Sequence, residues 1–234
     1  MKISILKIKK KLRKYSNKKK AAILQRFFKT GPGEYAEGDV FIGATVPCVR
    51  KVAEEYEDIG MDDIARIIRS PIHEERMLAL LILVSKFKSA RKLDRKKIYE
   101  FYLDSTIFIN NWDLVDLTAH HIVGDFLKDK DKDILYKLAG SGGLWERRIS
   151  IVATFCYIKE SNFKETLKIA QMLINDRADL IHKAVGWMLR EVGKRDKTIL
   201  ESFLNKNYKR MPRTTLRYAI EKFPESKRQR YLMK

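Results

Sequence analysis

Helical segments of the sequence repeat at an almost constant spacing. The segments HEERMLALL, NNWDLVDLT, WERRISIVA and LIHKAVGWML superpose with steps of 36, 36 and 35 residues. Their shared column holds Arg76, Trp112, Arg148 and Lys183, and Arg217 in TLRYAIEKF continues it at a step of 34 residues. A period in this range, with two helices per unit, is typical of solenoids whose stacked units bury a common core. The spacing therefore predicts an all-α solenoid (superhelix) of HEAT-like repeats.

The composition supports a helical chain with few interruptions. Only 5 prolines and 11 glycines occur among 234 residues, and the apolar residues follow helical rather than alternating spacing. Residues 1–30, with ten Lys or Arg in their first twenty positions, are predicted to form a basic N-terminal helical segment. Residues 31–43 (GPGEYAEGDVFIG) are predicted to be a glycine-rich loop, and residues 111–127 one continuous helix. We predict a single repeat domain over residues 1–234.

The chain carries a large positive charge. Lys and Arg number 49 against 30 Asp and Glu, so the formal net charge is +19, and the pI is about 9.8. Because 45% of the residues are hydrophobic, this charge belongs to a folded domain. Equivalent positions of stacked repeats line one face, so the column residues are expected to form a basic stripe in a concave groove that binds a nucleic-acid backbone. The alternative is a solvated polar face on a scaffold that binds another protein.

Other functional classes have little support in the sequence. Cys48 and Cys156 are too few for a disulfide framework or a zinc cage and are typical of a reducing compartment. Asp116 and His120 share a helical face, but two ligands do not make a metal site, and we predict no metal and no cofactor. The longest apolar run, residues 77–85, is too short to span a bilayer. We expect a soluble cytoplasmic protein, nucleoid-associated when bound to DNA and without membrane contacts.

The segment NWDLVD indicates a specific chemistry. Trp112 and Asp116 are four residues apart, so a helix brings both side chains to one face. A carboxylate on a basic surface repels phosphates, but it can stabilise an oxocarbenium-like sugar while a glycosidic bond breaks. The faces of Trp112 and Trp187 attract cations such as purines alkylated at N3 or N7. Both indoles could instead be core residues, and Asp113 is better explained as a charge at a helix N-terminus capped by Asn111.

These motifs resemble the AlkD-type family of DNA alkylation repair glycosylases, which are HEAT-like repeat proteins. The resemblance runs from FIGATVPCVRKVA through ERMLALLILV, NNWDLVD, WERRISIVA and IHKAVGWMLRE to MPRTTLRYAIEKF. It implies excision of cationic N3- and N7-alkylpurines without drawing the lesion into a deep pocket, unlike glycosylases that flip the base into the protein. It also implies that Trp112 and Trp187 contact the deoxyribose of the lesion, that Asp116 is the catalytic carboxylate, and that Arg148 holds the DNA backbone.

The sequence therefore predicts a DNA-alkylpurine N-glycosylase, a hydrolase acting in base excision repair on duplex DNA with alkylated bases. Release of 3-methyladenine or 7-methylguanine is the expected activity. The catalytic residues are expected to be Asp116, Trp112 and Trp187, and the DNA-binding residues Arg148, Arg147, Lys183, Arg76, Arg190 and Arg217. We expect a monomer that needs no obligate protein partner. The alternative is a noncatalytic HEAT-repeat protein that binds branched or distorted DNA through the same groove.

Overall fold

The structure, a computed structural model, describes residues 5–233. These residues form helices joined by short turns and loops, with no strand beyond an isolated bridge between Val40 and Ile72. The all-α prediction is confirmed for this part of the chain. Residues 1–4 of the predicted basic segment lie outside the described residues. The chain divides into two compact units, one ending at Thr118 and the other beginning at Ala119.

The N-terminal unit contains seven of the helices found in residues 5–233. They are α1 (Ile5–Arg13), α2 (Lys18–Phe27), α3 (Val46–Glu55), α4 (Met61–Ile67), α5 (His73–Ser89), α6 (Lys92–Asp104) and α7 (Trp112–Asp116). A 3-10 turn, Thr106–Phe108, lies between α6 and α7. The basic segment thus forms two helices, and α2 begins where the Asn17 side chain accepts a hydrogen bond from the Lys20 amide at 3.0 Å.

Helix α5 is the centre of the N-terminal core. Its residues 77–84 are all apolar and all buried, so it has no solvent-facing stripe. A helix that is apolar all round must be covered on all sides. Helices α3, α4 and α6 pack against α5 and supply that cover. The buried polar residues of α5 all lie in its first turn, where Glu74 binds the glycine-rich loop and Glu75 pairs with Lys9 of α1.

The glycine-rich loop is folded back onto the start of α5. The carboxylate of Glu74 accepts hydrogen bonds from the amides of Ile42 at 3.1 Å and Gly43 at 2.8 Å. Gly43 has a φ of 81°, and a Cβ at this position would collide with the backbone carbonyl of Asn17. Glycine is therefore required here both by the backbone conformation and by the close approach of the loop to the turn before α2.

The C-terminal unit contains the remaining helices of residues 5–233. It begins with a π-helical turn, His120–Gly124, followed by α8 (Asp125–Leu127), α9 (Asp133–Ala139), α10 (Leu144–Ala153), α11 (Phe155–Lys159), α12 (Lys164–Met172), α13 (Asp179–Arg195), α14 (Lys197–Asn207), α15 (Arg213–Ala219) and α16 (Glu225–Leu232). Helix α13 packs closely along α15, and α10 packs against both α9 and α13. The predicted helix over 111–127 is thus interrupted: α7 ends at Asp116, and a π-helical turn precedes α8.

The residues of the repeat column occupy similar places in their helices. Arg148, Lys183 and Arg217 are each the fifth residue of a helix, and Arg76 is the fourth, whereas Trp112 is the first residue of α7. In a solenoid, each repeat contacts mainly the repeats next to it. Dividing the chain between any two repeats therefore gives two compact units. The single domain over residues 1–234 stays a prediction. None of the helices in residues 5–233 is a candidate for spanning a bilayer.

Candidate active site

Helix α7 presents the Trp112–Asp116 pair. Asn111 precedes the helix as its cap, and its side-chain oxygen accepts a hydrogen bond from the Trp112 amide at 2.8 Å, as predicted. Asn111 is itself fully buried, and its amide donates to Asp39 at 3.3 Å. Both Trp112 and Asp116 are half-buried. Because they are one helical turn apart, they emerge on one face of α7.

The indole of Trp112 is held by three aromatic neighbours. It stacks on the ring of Phe28 with centroids 5.1 Å apart and planes at 20°, and the ring of Phe27 meets it edge-on at 6.1 Å. The indole N–H donates a hydrogen bond to the hydroxyl of Tyr35 at 3.3 Å. Phe27 is 61% exposed, whereas Phe28 is buried. Trp112 is therefore a partly accessible ring in a fixed orientation rather than a core residue.

None of these three aromatic neighbours is predicted from the sequence to belong to the site. Phe27 and Phe28 belong to the predicted basic N-terminal helical segment, and Tyr35 belongs to the predicted glycine-rich loop. Their contact with Trp112 joins positions more than seventy residues apart in the chain. The sequence holds one indication of this contact, the adjacent phenylalanines Phe27 and Phe28 at the end of α2. Adjacent residues of a helix point in different directions, so a single buried apolar stripe does not account for both rings.

Four ionisable groups are buried directly behind α7. The imidazole of His73 lies 3.2 Å from the Asp39 carboxylate through Nδ1 and 2.9 Å from the Asp113 carboxylate through Nε2. Asp39 also pairs with the Arg76 guanidinium at 2.6 Å. Asp113 additionally accepts a hydrogen bond from the Leu114 amide at 2.8 Å. The interpretation of Asp113 as a charge at the helix start is therefore incomplete, because its second oxygen binds His73.

The surroundings favour the charged forms of His73 and Asp39. Burial opposes the charge on His73, but the charge of Asp113 and the hydrogen bonds to Asp113 and Asp39 outweigh it and raise the pKa of His73 to about 9. Burial alone would raise the pKa of Asp39, yet the hydrogen bond from His73 and the charge of Arg76 lower it below the ordinary value. His73 is thus an imidazolium at neutral pH and donates both of its N–H groups to carboxylates.

Arg76 does not belong to an exposed basic stripe, which corrects the expectation that every residue of the repeat column lines one; its contact with DNA stays a prediction. Its side chain is 4% exposed. One guanidinium nitrogen donates to Asp39, and another donates to the carbonyl of Ser70 at 2.9 Å. Arg76 occupies the position in its helix that the repeat spacing indicates. The glycine-rich loop, however, places Asp39 beside it, and the guanidinium pairs with that carboxylate.

A buried tyrosine supports the other end of α7. The Tyr102 hydroxyl lies 2.8 Å from the hydroxyl of Thr118, which in turn donates to the Leu114 carbonyl at 2.5 Å. Tyr102 is therefore the donor to Thr118. Burial and, to a smaller extent, the negative charge of Asp116 raise the pKa of the Tyr102 phenol. The carboxylate of Asp116 is thus close enough to Tyr102 for its charge to affect the pKa of the phenol.

Trp187 lies on α13 in the C-terminal unit. Its ring is half-buried and packs against Phe155, with centroids 5.7 Å apart. Phe155 in turn meets the imidazole of His120 edge-on at 5.4 Å. Like Trp112, Trp187 is therefore an indole held against other aromatic rings with part of its surface accessible. The convergence of the two indoles on one groove stays a prediction.

Two of the predicted DNA-binding arginines make contacts within the C-terminal unit. Arg147 pairs with Asp176 at 2.7 Å and donates to the carbonyls of Ser141 at 3.0 Å and Gly142 at 2.8 Å. Arg148 is 5% exposed, and its guanidinium donates to the carbonyl of Leu180. These contacts tie α10 to the loops before α10 and α13. The contact of Arg147 and Arg148 with DNA stays a prediction.

Lys183 and Arg217 are the more accessible of the predicted DNA-binding cations, whereas the side chain of Arg190 is 19% exposed, as is that of Arg147. Lys183 is half-buried and pairs with Asp179 at 2.8 Å, and this hydrogen bond lowers the pKa of Asp179. Arg190 pairs with Glu221. Arg217 is exposed and has no hydrogen bond or ion pair with any other described residue. Arg217 is therefore the predicted cation with the fewest competing contacts.

Neither a metal nor a reactive thiol is indicated near these residues. Across residues 5–233, no three His, Cys, Asp or Glu side chains are grouped so that they could hold a metal ion. Cys48 and Cys156 are free cysteines. Burial raises the pKa of Cys156 to about 12, so its thiol stays protonated at neutral pH and is a poor nucleophile.

Comparison with known proteins decides the family. The sequence matches the family described as "DNA alkylation repair enzyme" over residues 8–223. The chain belongs to this DNA alkylation repair enzyme family. Membership agrees with the resemblance seen in the Trp, Asp and Arg motifs. A search of curated proteins finds no significant match.

Three solved structures illustrate the similarity in fold. One is a predicted DNA alkylation repair enzyme from Enterococcus faecalis, with a TM-score of 0.68 and 15% identity over 90% of this chain and 97% of that one. Another is AlkD2 from Streptococcus mutans, with a TM-score of 0.55 and 20% identity over 89% and 99%. A third is smu.31 from Streptococcus mutans UA159, with a TM-score of 0.55 and 19% identity over 92% and 100%. These likenesses confirm the predicted helical-repeat fold of the DNA alkylation repair family member described here.

Proposed function

We propose that this DNA alkylation repair enzyme is a glycosylase that hydrolyses the N-glycosidic bond of cationic N3- and N7-alkylpurines in duplex DNA. One observation carries the proposal: α7 presents a half-buried carboxylate, Asp116, one turn from the half-buried indole of Trp112. The indole orientation is fixed by Phe28 and Tyr35. A preorganised anion beside an aromatic face suits a reaction in which positive charge passes from a purine to its sugar.

The chemistry needs little beyond these groups. As the bond between C1′ and the purine nitrogen breaks, the electron pair leaves with the base, and the cationic alkylpurine departs as a neutral molecule. Positive charge develops on the deoxyribose, where the Asp116 carboxylate stabilises it. A water molecule attacks C1′, loses a proton to solvent or to Asp116, and leaves an abasic site. Because the leaving base is neutral, no general acid and no cofactor is required.

The indoles supply selectivity for the damaged base. The negative face of an indole attracts a cation, so Trp112 and Trp187 favour an alkylated, positively charged nucleoside over a neutral one by about 0.5–2 kcal/mol each. Contacts with the DNA backbone are assigned to Lys183, Arg190 and Arg217, of which Lys183 and Arg217 are the most accessible predicted cations. Such contacts provide affinity without reading sequence.

Asp116→Asn tests the proposal. We expect the wild-type protein to release 7-methylguanine or 3-methyladenine from methylated duplex DNA. The variant should lose on the order of 100-fold or more in single-turnover rate, because it removes the charge that stabilises the transition state, while its DNA affinity changes little. Asp129→Asn is the matched control, since Asp129 is an exposed carboxylate outside the site. It should keep the wild-type rate.

Two outcomes would contradict the proposal. Equal losses of rate and DNA affinity in Asp116→Asn would assign the carboxylate a structural role. The absence of base release by the wild-type protein, together with retained DNA binding, would favour the alternative of a noncatalytic protein that recognises branched or distorted DNA.

A further inference from the structure

Besides the hydrogen bond that the cap residue Asn111 donates to Asp39 at 3.3 Å, the glycine-rich loop reaches α7 by two separate connections. In the first, the hydroxyl of Tyr35 accepts the indole N–H of Trp112 at 3.3 Å. In the second, the carboxylate of Asp39 binds His73, and His73 binds Asp113 on α7. The loop therefore holds both the indole ring and the backbone turn that carries Asp116. Its glycines at 31 and 33 lack the features of a phosphate-binding loop, so these contacts give the segment a different role.

The second connection is buried and electrically balanced. His73 is 2% exposed, and its two N–H groups point at the carboxylates of Asp39 and Asp113. With Arg76 included, two negative and two positive groups cancel. Removing one member of such a set leaves a buried charge without compensation, which is costly. His73 is the only one of the four that contacts both the loop residue Asp39 and the α7 residue Asp113.

Helix α7 needs outside support to keep its place. It runs only from Trp112 to Asp116, a single turn, and one turn of helix has no stability of its own in water. Asp113 lies in this turn, directly after Trp112 and three residues before Asp116. A shift of Asp113 would therefore carry both side chains of the pair with it.

We propose that His73 is the positioning residue of the Trp112–Asp116 pair, locking α7 to the glycine-rich loop through Asp39 and Asp113. This inference rests on the proposed function for its catalytic consequence. His73 acts through α7 and lies behind it, so it does not contact DNA. Replacing His73 is expected to displace the carboxylate of Asp116. The rate of base release depends on the position of that carboxylate to within about 1 Å.

A matched control lies two residues away on the same helix. Glu75 is also fully buried and also part of an ionic cluster, but it faces α1: it accepts from Ser70 at 2.6 Å and pairs with Lys9 at 2.6 Å. Both His73→Gln and Glu75→Gln remove a charge from a buried cluster of α5, and both are expected to lower the unfolding temperature. Only the first loosens α7.

The first measurement compares base release with DNA affinity at a temperature where every variant is folded by circular dichroism. His73→Gln should slow single-turnover base release by about 10- to 100-fold while the Kd for duplex DNA stays within about threefold. Glu75→Gln should keep the wild-type rate. The double variant His73→Gln/Asp113→Asn restores charge balance, and its two amides can hydrogen bond, so it should recover part of the lost rate.

The second measurement does not depend on catalysis. The chain has three tryptophans, so Trp145→Phe/Trp187→Phe leaves Trp112 as the single fluorescent indole. In that background, His73→Gln should increase acrylamide quenching of Trp112, and Glu75→Gln should not. Unchanged quenching in His73→Gln would overturn the positioning role, as would a rate loss equal to that of Glu75→Gln. A wild-type protein without base release would refute the proposed function, and the quenching result alone would then judge the role of His73.

Discussion

Arg76 and Arg217 occupy the same column of the repeat but lie in opposite surroundings. Arg76 is buried and compensates Asp39, whereas Arg217 is exposed and has no partner among residues 5–233. A buried cation stabilises the fold through the carboxylate it neutralises, and an exposed one is available to a polyanion. At equivalent positions of the repeat, Arg76 is therefore expected to contribute to stability and Arg217 to DNA binding.

Arg76→Ala should destabilise the protein without changing how salt affects DNA binding. Removing it leaves Asp39 short of one cation in a buried site, which costs about 3 kcal/mol. Arg217→Ala should change stability by less than about 0.5 kcal/mol. It should, however, reduce the slope of log affinity against log salt concentration by about 1 if Arg217 contacts a phosphate. Thermal unfolding and salt titrations of DNA binding test both; a reduced slope in Arg76→Ala would return Arg76 to the DNA interface.

The stability of the protein should fall as the pH rises from neutral to alkaline. Folding raises the pKa of His73 from 6.5 to about 9, so its contribution is fully present below pH 6.5 and is lost as the pH approaches 9. The groups facing it are Asp39, Asp113 and Arg76. The decrease should be on the order of 3 kcal/mol in wild type and much smaller in His73→Gln.

Unfolding temperatures measured across this pH range test the expectation. Glu75→Gln alters another buried charge of α5 without touching His73 and should keep the wild-type pH dependence. An equally steep decrease in His73→Gln would show that another group is responsible.

The contacts between residues adjacent in the chain were predictable from the sequence, whereas the contacts between distant residues were not. The Asn111 cap is confirmed, because a cap and its helix are adjacent in the chain. The pairing of His73 with Asp39 and Asp113 spans 34 and 40 residues. No periodicity encodes such a distance, since it depends on how the glycine-rich loop folds over α5.

Helices α13 and α15 come into close contact at Gly186. A Cβ at this position would lie 2.6 Å from the Thr215 carbonyl and 2.5 Å from the Cβ of Tyr218. Gly186 directly precedes Trp187, so the close approach also sets where that indole emerges from α13. A residue without a side chain is thus part of what places a predicted site residue.

Gly186→Ala should destabilise the C-terminal unit by about 1–3 kcal/mol, because a backbone carbonyl cannot move away as a flexible side chain can. Gly140→Ala is the matched control. Gly140 has a φ of −88°, and a Cβ there would meet its nearest atoms at 3.7 Å, an ordinary contact. It should be neutral or stabilising by about 0.4–1 kcal/mol. Thermal unfolding followed by circular dichroism measures both, and equal stability of the two variants would contradict the close packing.

Helix existence followed from apolar spacing, but helix continuity did not. The predicted helix over 111–127 is divided, with α7 ending at Asp116 and a π-helical turn at 120–124. Gly124 in that turn lies so close to the Ala153 carbonyl that no Cβ would fit. Packing against α10 therefore bears on the backbone of this segment, and such packing leaves no trace in the 3.6-residue period of the sequence.

The molecule carries a net charge of +19. Its cations differ in whether a carboxylate of the same protein pairs with them. Several cations are occupied by carboxylates: Lys9 with Glu75, Arg147 with Asp176 and Arg190 with Glu221 are examples. The net charge nevertheless remains, and its expected consequence is attraction of a polyanion that weakens with ionic strength.

The affinity for duplex DNA should fall steeply with salt. If Lys183, Arg190 and Arg217 each contact one phosphate, log affinity falls with log salt with a slope of at least about 2.7 in magnitude, so affinity falls by at least roughly 40-fold between about 50 and 200 mM salt. Unmodified and methylated duplexes of equal length should give the same slope, because backbone contacts do not read the lesion. A protein-binding scaffold would show no such dependence, and a flat titration would favour that alternative.

The family and the fold were the most predictable properties of the whole molecule. The repeat spacing and the order of the Trp, Asp and Arg motifs can be read from the linear chain. The family that they indicate is confirmed by the family match over residues 8–223. Which cations stay accessible was less predictable. Each one depends on whether a carboxylate from another element folds against it, as Asp39 does against Arg76.

The balanced set of buried charges behind α7 has a consequence for how such proteins change over time. Asp39, His73, Arg76 and Asp113 come from three separated parts of the chain, yet no one of them can be replaced by a neutral residue without stranding an opposite charge in the interior. Relatives that lose one member should therefore have lost a second of opposite sign. Substitution at these positions is expected to be concerted, and aligned sequences that keep the indole and carboxylate of α7 are where that covariation can be sought.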